Sequence, residues 1–202
     1  GKTTYGLEGS IFVAGSAIQW LRDELKFFKS ADETEALVKL RNYNSKVLVV
    51  PAFTGLGAPH WDPNSRGSIF GLTRDTNIAD LTAATLESIA FQTKDLIGAM
   101  ESDGANFSEL RVDGGMIANN WFSQQLSNIL NLEVLRPKVI ETTALGASYL
   151  ASMHSGLCPD LESLKSNWMC EKSFVPEEKD IAVLEEKYNN WLSAVERTKG
   201  LF

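Results

Sequence analysis

The stretch that decides the fold of this 202-residue chain is Leu110-Arg111-Val112-Asp113-Gly114-Gly115-Met116-Ile117-Ala118-Asn119-Asn120-Trp121. A short apolar run ends at an aspartate, two glycines follow, and an amphipathic helical pattern starts within a few residues. This order predicts a strand, a tight glycine turn and the start of a helix. The backbone N–H groups at a helix start are unpaired and lie at the positive end of the helix dipole, so they suit a phosphate group.

Two residues of this stretch are candidate ligand contacts. Gly115 has no Cβ to hold a ligand away from the backbone. Asn119 follows four residues later, one turn up the same face of the predicted helix. Its carboxamide can both donate and accept hydrogen bonds, as the edge of a purine ring requires. A strand–helix junction that needs its glycines only for the turn is an equally open interpretation of this stretch alone.

A second junction of the same kind lies near the N-terminus. The buried-strand pattern of residues 10–13 gives way to Gly15 and then to a helical pattern, and Gln19 stands four residues beyond the glycine. Ser16 could serve simply as a helix cap. Two such junctions, each with a carboxamide one turn up, could converge on one planar ligand from opposite sides. Together they favour nucleotide binding more than either junction does alone.

The composition is that of an ordinary globular α/β domain, with 44% hydrophobic and 22% charged residues. A net charge of −7 argues against a nucleic-acid surface. No apolar run approaches the ~20 residues of a membrane span. Nothing in the sequence suggests secretion, and we expect Cys158 and Cys170 to be incidental reduced thiols and the protein to be cytoplasmic. The chain starts without a methionine, which suggests a fragment.

The remaining pattern predicts alternating helices and strands. Helices are expected over residues 16–28, 31–43, 78–100, 117–130, 159–169 and 177–199, with a further helix of small residues opening at Glu141. Strands are expected over residues 3–13, 47–50, 110–112 and 133–135, and an extended link over 173–176. The long loop 54–67 is expected to be functional or interfacial. His60 and Asp62 lie on it without a positioned nucleophile, so we expect them to be scaffolding.

Several motifs resemble a known family. Gly67-x-Ile69-x-Gly71-Leu72, followed after seven residues by Asp80-Leu81-x-x-Ala84-Thr85-Leu86-Glu87, resembles the second signature of the FGGY sugar-kinase family. Residues 14–23, 50–59, 111–115 and 143–147 resemble the glycerol kinases within that family. The similarity covers essentially the whole chain, most firmly residues 5–156. It implies that residues 1–156 are the second, C-terminal and ATP-binding domain of a sugar kinase, with residues 157–202 as a helical tail packed on it.

The resemblance implies an α/β fold of the ribonuclease-H-like (actin-like ATPase) type, in which helices flank a mixed sheet. It also implies that the first strands of the domain, which carry a phosphate loop, are missing from this chain. A sheet edge left without its neighbour exposes unpaired backbone groups. We therefore expect self-association, and a homo-oligomer.

The resemblance also assigns candidate site residues by motif position. The ATP-binding positions fall on Gly15, Gln19, Gly115 and Asn119, with Ala118 as apolar lining. Gly115 would lie against the phosphates of ATP or ADP, and Asn119 near the adenine. The family's catalytic aspartate and most of its glycerol contacts belong to the other domain. We therefore expect no catalytic and no metal-binding residue in this chain, and Mg²⁺ and glycerol to be bound with the missing domain.

The implied activity is part of an ATP-dependent transfer of a phosphoryl group to glycerol, which gives glycerol 3-phosphate and ADP, with this fragment inactive alone. Two alternatives stay open. The chain could be the same domain of another sugar kinase, such as a xylulokinase-like enzyme. It could also be a non-catalytic binding or regulatory module that contacts a partner protein through the acidic helix predicted over residues 177–199.

Overall fold

A computed structural model describes residues 3, 5–165 and 167–200 of the chain. The α-helices of this part are α1 (Gly15–Asp23), α2 (Thr34–Leu37), α3 (Ile78–Ser102), α4 (Asn120–Leu130), α5 (Thr142–His154), α6 (Leu161–Lys165) and α7 (Glu178–Thr198). The strands are β1 (Leu48–Val50), β2 (Ser68–Phe70), β3 (Glu109–Arg111), β4 (Glu133–Pro137) and β5 (Cys170–Phe174). No helix of the described part is long and apolar enough to cross a membrane.

The strands form two sheets. β1 pairs with β2 in antiparallel register, with Val49 opposite Ile69. In the second sheet β3 runs parallel to β4, and β5 runs antiparallel to β4, so this sheet is mixed as expected. Parallel neighbours need a crossover connection. Between β3 and β4 that crossover consists of a 3-10 turn, Gly115–Ala118, and α4, so the turn lies directly after the carboxyl end of β3.

Helix α3 runs through the centre of the domain. Asn77 caps its start, where Oδ1 accepts hydrogen bonds from the backbone N–H groups of Ala79 at 2.8 Å and Asp80 at 3.2 Å. Most of its first fifteen residues are buried, because α1, α4, α7 and β1 pack around it. Thirteen of the residues from Ile78 to Gln92 are buried, as is typical of a helix in the centre of a domain, and the long helix predicted over residues 78–100 is confirmed.

The C-terminal helix α7 packs on the same core. Trp191 is fully buried, and its Nε1 donates a hydrogen bond to the backbone oxygen of Val49 at 2.9 Å. Its ring lies against those of Phe91 and Tyr188. The helix is therefore a structural layer of the domain, although the boundary proposed between residues 156 and 157 stays a prediction.

The strand predicted over residues 3–13 is wrong for the described residues. Residues 5–13 lie along the domain without forming a ladder with any described strand. A strand needs a paired neighbour to satisfy its backbone groups, and a local pattern cannot supply one. The end of the segment is still anchored, because Val13 is buried and its oxygen accepts a hydrogen bond from Gln92 Nε2 at 3.3 Å.

Other predicted boundaries also move. Helix α1 ends at Asp23, because Lys26 adopts a left-handed φ of 58° and the Phe27 N–H bonds back to the Leu21 oxygen at 3.0 Å. The helix predicted over 31–43 breaks into the short α2 with a 3-10 turn on each side. The link predicted over 173–176 begins as strand β5, whereas β2 was not predicted because only two of its three residues are apolar.

Candidate functional site

A pocket of about 410 Å³ opens where the N-terminal turns of α1 meet the Gly115–Ala118 turn. The lining includes all five residues predicted from the sequence: Gly15, Gln19, Gly115, Ala118 and Asn119. The two glycine junctions therefore face one cavity, although only the second follows a strand and they lie about a hundred residues apart in the chain. A larger groove of about 800 Å³ lies between α3, α7 and residues 41–46, and it contains none of the predicted residues.

The fold itself does not require glycine at positions 15 and 115. A Cβ built on Gly115 would have no other atom within 4 Å, and one built on Gly15 would meet only the Met116 side chain, at 3.6 Å. Neither residue has a positive φ, in contrast to Gly114 at φ 85°. Neither crowding nor backbone conformation therefore explains why these two residues are glycines. Because they carry no side chain, a ligand can approach the backbone of the pocket wall closely.

Asn119 reaches the pocket in a different way from the one predicted. The helix predicted over residues 117–130 is interrupted, and Asn119 is the N-cap of α4 with an extended backbone (φ −73°, ψ 109°). Its Oδ1 accepts a hydrogen bond from the Phe122 N–H at 2.9 Å, and its Nδ2 donates to Thr34 Oγ1 at 3.0 Å. The prediction that Asn119 lies one helical turn above Gly115 was therefore wrong, because asparagine favours the cap position over the helix interior.

Gln19 stands on the opposite wall with its carboxamide uncommitted. It lies on α1, it is exposed, and it makes no hydrogen bond to any residue in the described part of the chain. The start of α1 has no side-chain cap and no acidic residue in its first turn. The first turn of α1 therefore supplies no group of its own that offsets the partial positive charge of this helix end.

A buried arginine that the sequence analysis missed holds the glycine turn in place. Arg136 of β4 is 8% exposed, and its Nη1 donates hydrogen bonds to the backbone oxygens of Ile117 at 2.8 Å and Ala118 at 3.3 Å. Its Nε donates to Glu171 at 2.6 Å, and this contact lowers the pKa of the Glu171 carboxyl group. A single arginine in a strand carries no sequence signal for this role.

The segment around α2 closes the pocket from the other side. The Asn120 N–H, at the start of α4, donates a hydrogen bond to Glu35 Oε2 at 2.9 Å. This carboxylate therefore lies at the positive end of α4, where a helix dipole favours a negative charge. Together with the contact between Thr34 and Asn119, it ties this segment to the turn that carries the candidate residues.

His60 and Asp62 take part in structural contacts outside this pocket. His60 Nε2 lies 2.8 Å from Asp95 Oδ2, and the other oxygen of Asp95 accepts a hydrogen bond from the Tyr188 hydroxyl. Burial and this carboxylate raise the pKa of Tyr188. Asp62 accepts a hydrogen bond from Ser65 Oγ at 2.7 Å, which lowers its pKa. Both residues thus stabilise the long loop, in agreement with the scaffolding hypothesis.

The domain thus has an α/β fold with a pocket between two glycine junctions. Residues 1–155 match the FGGY family of carbohydrate kinases, C-terminal domain. The chain belongs to this family.

Among curated relatives, the glycerol kinase of Marinomonas sp. (strain MWYL1) is 54% identical over 200 residues, which cover 98% of this chain and 40% of that protein. The glycerol kinase of Ectopseudomonas mendocina (strain ymp) is 52% identical over 201 residues, which cover 99% and 40%. The chain therefore spans about 40% of the length of the curated relatives that it matches.

Solved structures show the same fold. The Plasmodium falciparum glycerol kinase with ADP superposes with a TM-score of 0.81 at 34% identity, covering 96% of this chain and 38% of that one. A ligand-bound xylulose kinase from Lactobacillus acidophilus gives a TM-score of 0.81 at 22% identity and covers 96% and 40%. The second likeness shows the fold alone. The actin-like ATPase fold that the resemblance implied is thus confirmed.

Proposed function

We propose that this chain supplies the adenosine half of the ATP site of a glycerol kinase. The observation that carries the proposal is the pair Gly15 and Gly115, two glycines that face one pocket and that the fold does not require. The chain is also similar to a glycerol kinase whose structure was solved with ADP. A bound nucleotide explains both the bare backbone on the pocket wall and the uncommitted carboxamide of Gln19.

In this proposal different pocket residues contact different parts of the nucleotide. The α1 terminus at Gly15 and the backbone at Gly115 lie on the phosphate side, where open N–H groups and a positive helix end favour anions. Gln19 and Asn119 supply the hydrogen-bonding groups for the base. Ala118 gives the wall an apolar surface between them. Arg136 contributes indirectly, because its hydrogen bonds to the carbonyl groups of Ile117 and Ala118 fix the turn.

ATP would supply the phosphoryl group, whereas the residues of this chain bind and orient the nucleotide. Phosphoryl transfer depends mainly on positioning and on electrostatic stabilisation. We assign no catalytic residue here. Among the described residues no group of three or more acidic, histidine or cysteine side chains could hold a metal ion, so we also assign no residue to Mg²⁺. The general base, the metal and the glycerol contacts belong, in this proposal, to other parts of a longer enzyme.

Glycerol is favoured over a sugar as the phosphoryl acceptor because the chain shares more sequence identity with glycerol kinases than with sugar kinases. The curated relatives at 52–54% identity are glycerol kinases. The xylulose kinase structures that share the fold are 18–22% identical to this chain. The apolar stripe of the acidic C-terminal helix α7 packs on the core, so that stripe has its contacts within the domain.

Calorimetric titration of ADP into the chain tests the nucleotide part of the proposal. We expect saturable binding that weakens at least about tenfold in Gln19→Ala, because this carboxamide makes no hydrogen bond to any described residue and, in this proposal, binds the ligand. Gln125→Ala is the matched control, since Gln125 lines the other groove. Absence of ADP binding to the folded chain, or equal binding by both variants, would overturn the proposal.

A chimaera tests the acceptor. In it, this chain replaces the matching segment of the Marinomonas glycerol kinase, which serves as the positive control. We expect ATP turnover that depends on glycerol, fails with xylulose, and is lost when Gly115→Ala is introduced. A folded chimaera that turns over ATP with xylulose rather than glycerol would contradict the assignment.

A further inference from the structure

Thr34 is a buried polar residue whose contacts lead directly to the candidate base-reading group. It is 3% exposed and lies in the pocket wall, 85 residues before Asn119 in the chain. Its hydroxyl donates a hydrogen bond to the Ala31 oxygen at 2.6 Å, so its proton is committed. The lone pairs of Oγ1 therefore face Nδ2 of Asn119, which lies 3.0 Å away. Toward Asn119 the hydroxyl therefore acts as an acceptor, which the amide nitrogen can satisfy and the amide oxygen cannot.

The two ends of the Asn119 carboxamide are thus fixed by different partners. The Phe122 N–H can only donate, so it requires Oδ1, at 2.9 Å. Thr34 Oγ1 requires the amide nitrogen, as described above. Turning the amide over would place two donors together at Phe122 and two oxygens together at Thr34. Only one orientation of this amide satisfies the network.

A carboxamide held in this way still has one N–H and one oxygen lone pair to offer a ligand, because each end makes a single bond within the protein. The Watson–Crick edge of adenine presents a complementary pair, the N6 amino donor and the N1 acceptor. A 6-oxo purine presents the reverse order on that edge, an O6 acceptor and an N1–H donor, so the same amide orientation would set oxygen against oxygen and N–H against N–H. A fixed amide therefore discriminates between the two purines, whereas a mobile one can turn to suit either.

We infer that Thr34 is a positioning residue that holds the Asn119 carboxamide in the orientation that prefers a 6-amino purine over a 6-oxo purine. This inference rests on the proposed function. The neighbouring contact strengthens it, because Glu35 binds the Asn120 N–H at 2.9 Å and so fixes the backbone of the same segment against α4. The hydroxyl of Thr34 thus fixes the nitrogen end of the amide, while the Phe122 N–H fixes its oxygen end.

Calorimetric titration with ADP and with inosine diphosphate separates this role from a merely structural one. In Thr34→Val we expect ADP to bind about fivefold more weakly, as the loss of one hydrogen bond predicts, while inosine diphosphate stays within about twofold. The preference for ADP therefore shrinks. Thr34→Ser keeps the hydroxyl and should restore both values. Thermal unfolding shows in each case that the variant is folded.

The outcomes distinguish the inference from the proposal beneath it. If Thr34→Val weakens the binding of both nucleotides equally, or changes neither affinity, the role of Thr34 is overturned while ADP binding by the unaltered chain stands. Absence of ADP binding by the unaltered chain removes the proposed function and this inference with it. Asn119→Asp is a second variant that keeps the cap for Phe122 but removes the donor to Thr34. An unchanged preference for ADP in this variant also overturns the inference.

Discussion

Replacing Gly115 with alanine separates nucleotide binding from folding. The new Cβ meets no atom within 4 Å, and the residue does not have a positive φ. The substitution should therefore not strain the folded state. Because alanine restricts the unfolded chain more than glycine does, we expect the free energy of unfolding to rise by about 0.4–1 kcal/mol. A methyl group on the pocket wall, however, holds a ligand away from the backbone. We expect ADP affinity to fall at least about tenfold, or about 1.4 kcal/mol.

Two matched glycines serve as controls for this substitution. Gly98 lies on α3 with open space around its Cβ position and outside the pocket, so Gly98→Ala should leave ADP affinity unchanged and stabilise the helix by about 1 kcal/mol. Gly114 has φ 85° and ψ 169°, a conformation that is nearly exclusive to glycine, so Gly114→Ala should cost about 1–3 kcal/mol of stability. The assays are ADP calorimetry and urea unfolding. If folded Gly115→Ala bound ADP as tightly as Gly98→Ala, the glycine argument would be refuted.

Three further substitutions test the framework that supports the pocket. Trp191→Ala should lower the free energy of unfolding, measured by urea denaturation, by about 3–5 kcal/mol, because it removes a fully buried ring and the bond to Val49. A loss below about 1 kcal/mol would contradict the packing of α7. Tyr188→Phe should lower stability by about 1 kcal/mol at neutral pH through the lost bond to Asp95. Because the pKa of Tyr188 is raised, its stabilising contribution is complete below about pH 10 and is lost as the pH rises further. The unfolding temperature should therefore fall less steeply between about pH 8 and 11 in the variant than in the unaltered chain. Equal slopes would argue against this contact. Arg136→Lys should weaken ADP binding by about three- to tenfold, because an ammonium cannot span two carbonyls and a carboxylate, and unchanged affinity would show that the turn holds without it.

The two glycine junctions were predictable because each is a local pattern. Gly15 and Gly115 both follow a short apolar run and precede a helical pattern, and that order alone places backbone N–H groups at a helix or turn start. That they face one pocket followed from the pairing of the two junctions and from the family resemblance. The long helix α3 was predictable from its apolar periodicity, whereas the mixed sheet was implied by the family resemblance.

The details of the site were not predictable, since they depend on contacts between distant segments. Thr34 meets Asn119 only because α2 packs across the start of α4, and Arg136 reaches the glycine turn only because β4 lies beside β3. Asn119 itself was placed inside a helix, because periodicity continues through the position where the asparagine cap interrupts it. The strand expected over residues 3–13 failed for a related reason, since local alternation does not show whether a neighbouring strand pairs with it.

The most direct test of the central claim is an ADP titration of this chain followed by amide chemical shifts in NMR. The account predicts that the largest shifts centre on Gly15, Gln19, Gly115 and Asn119, and that they disappear in Gly115→Ala while the spectrum remains that of a folded domain. Shifts centred on the groove between α3 and α7, or no shifts in the folded chain, would contradict it.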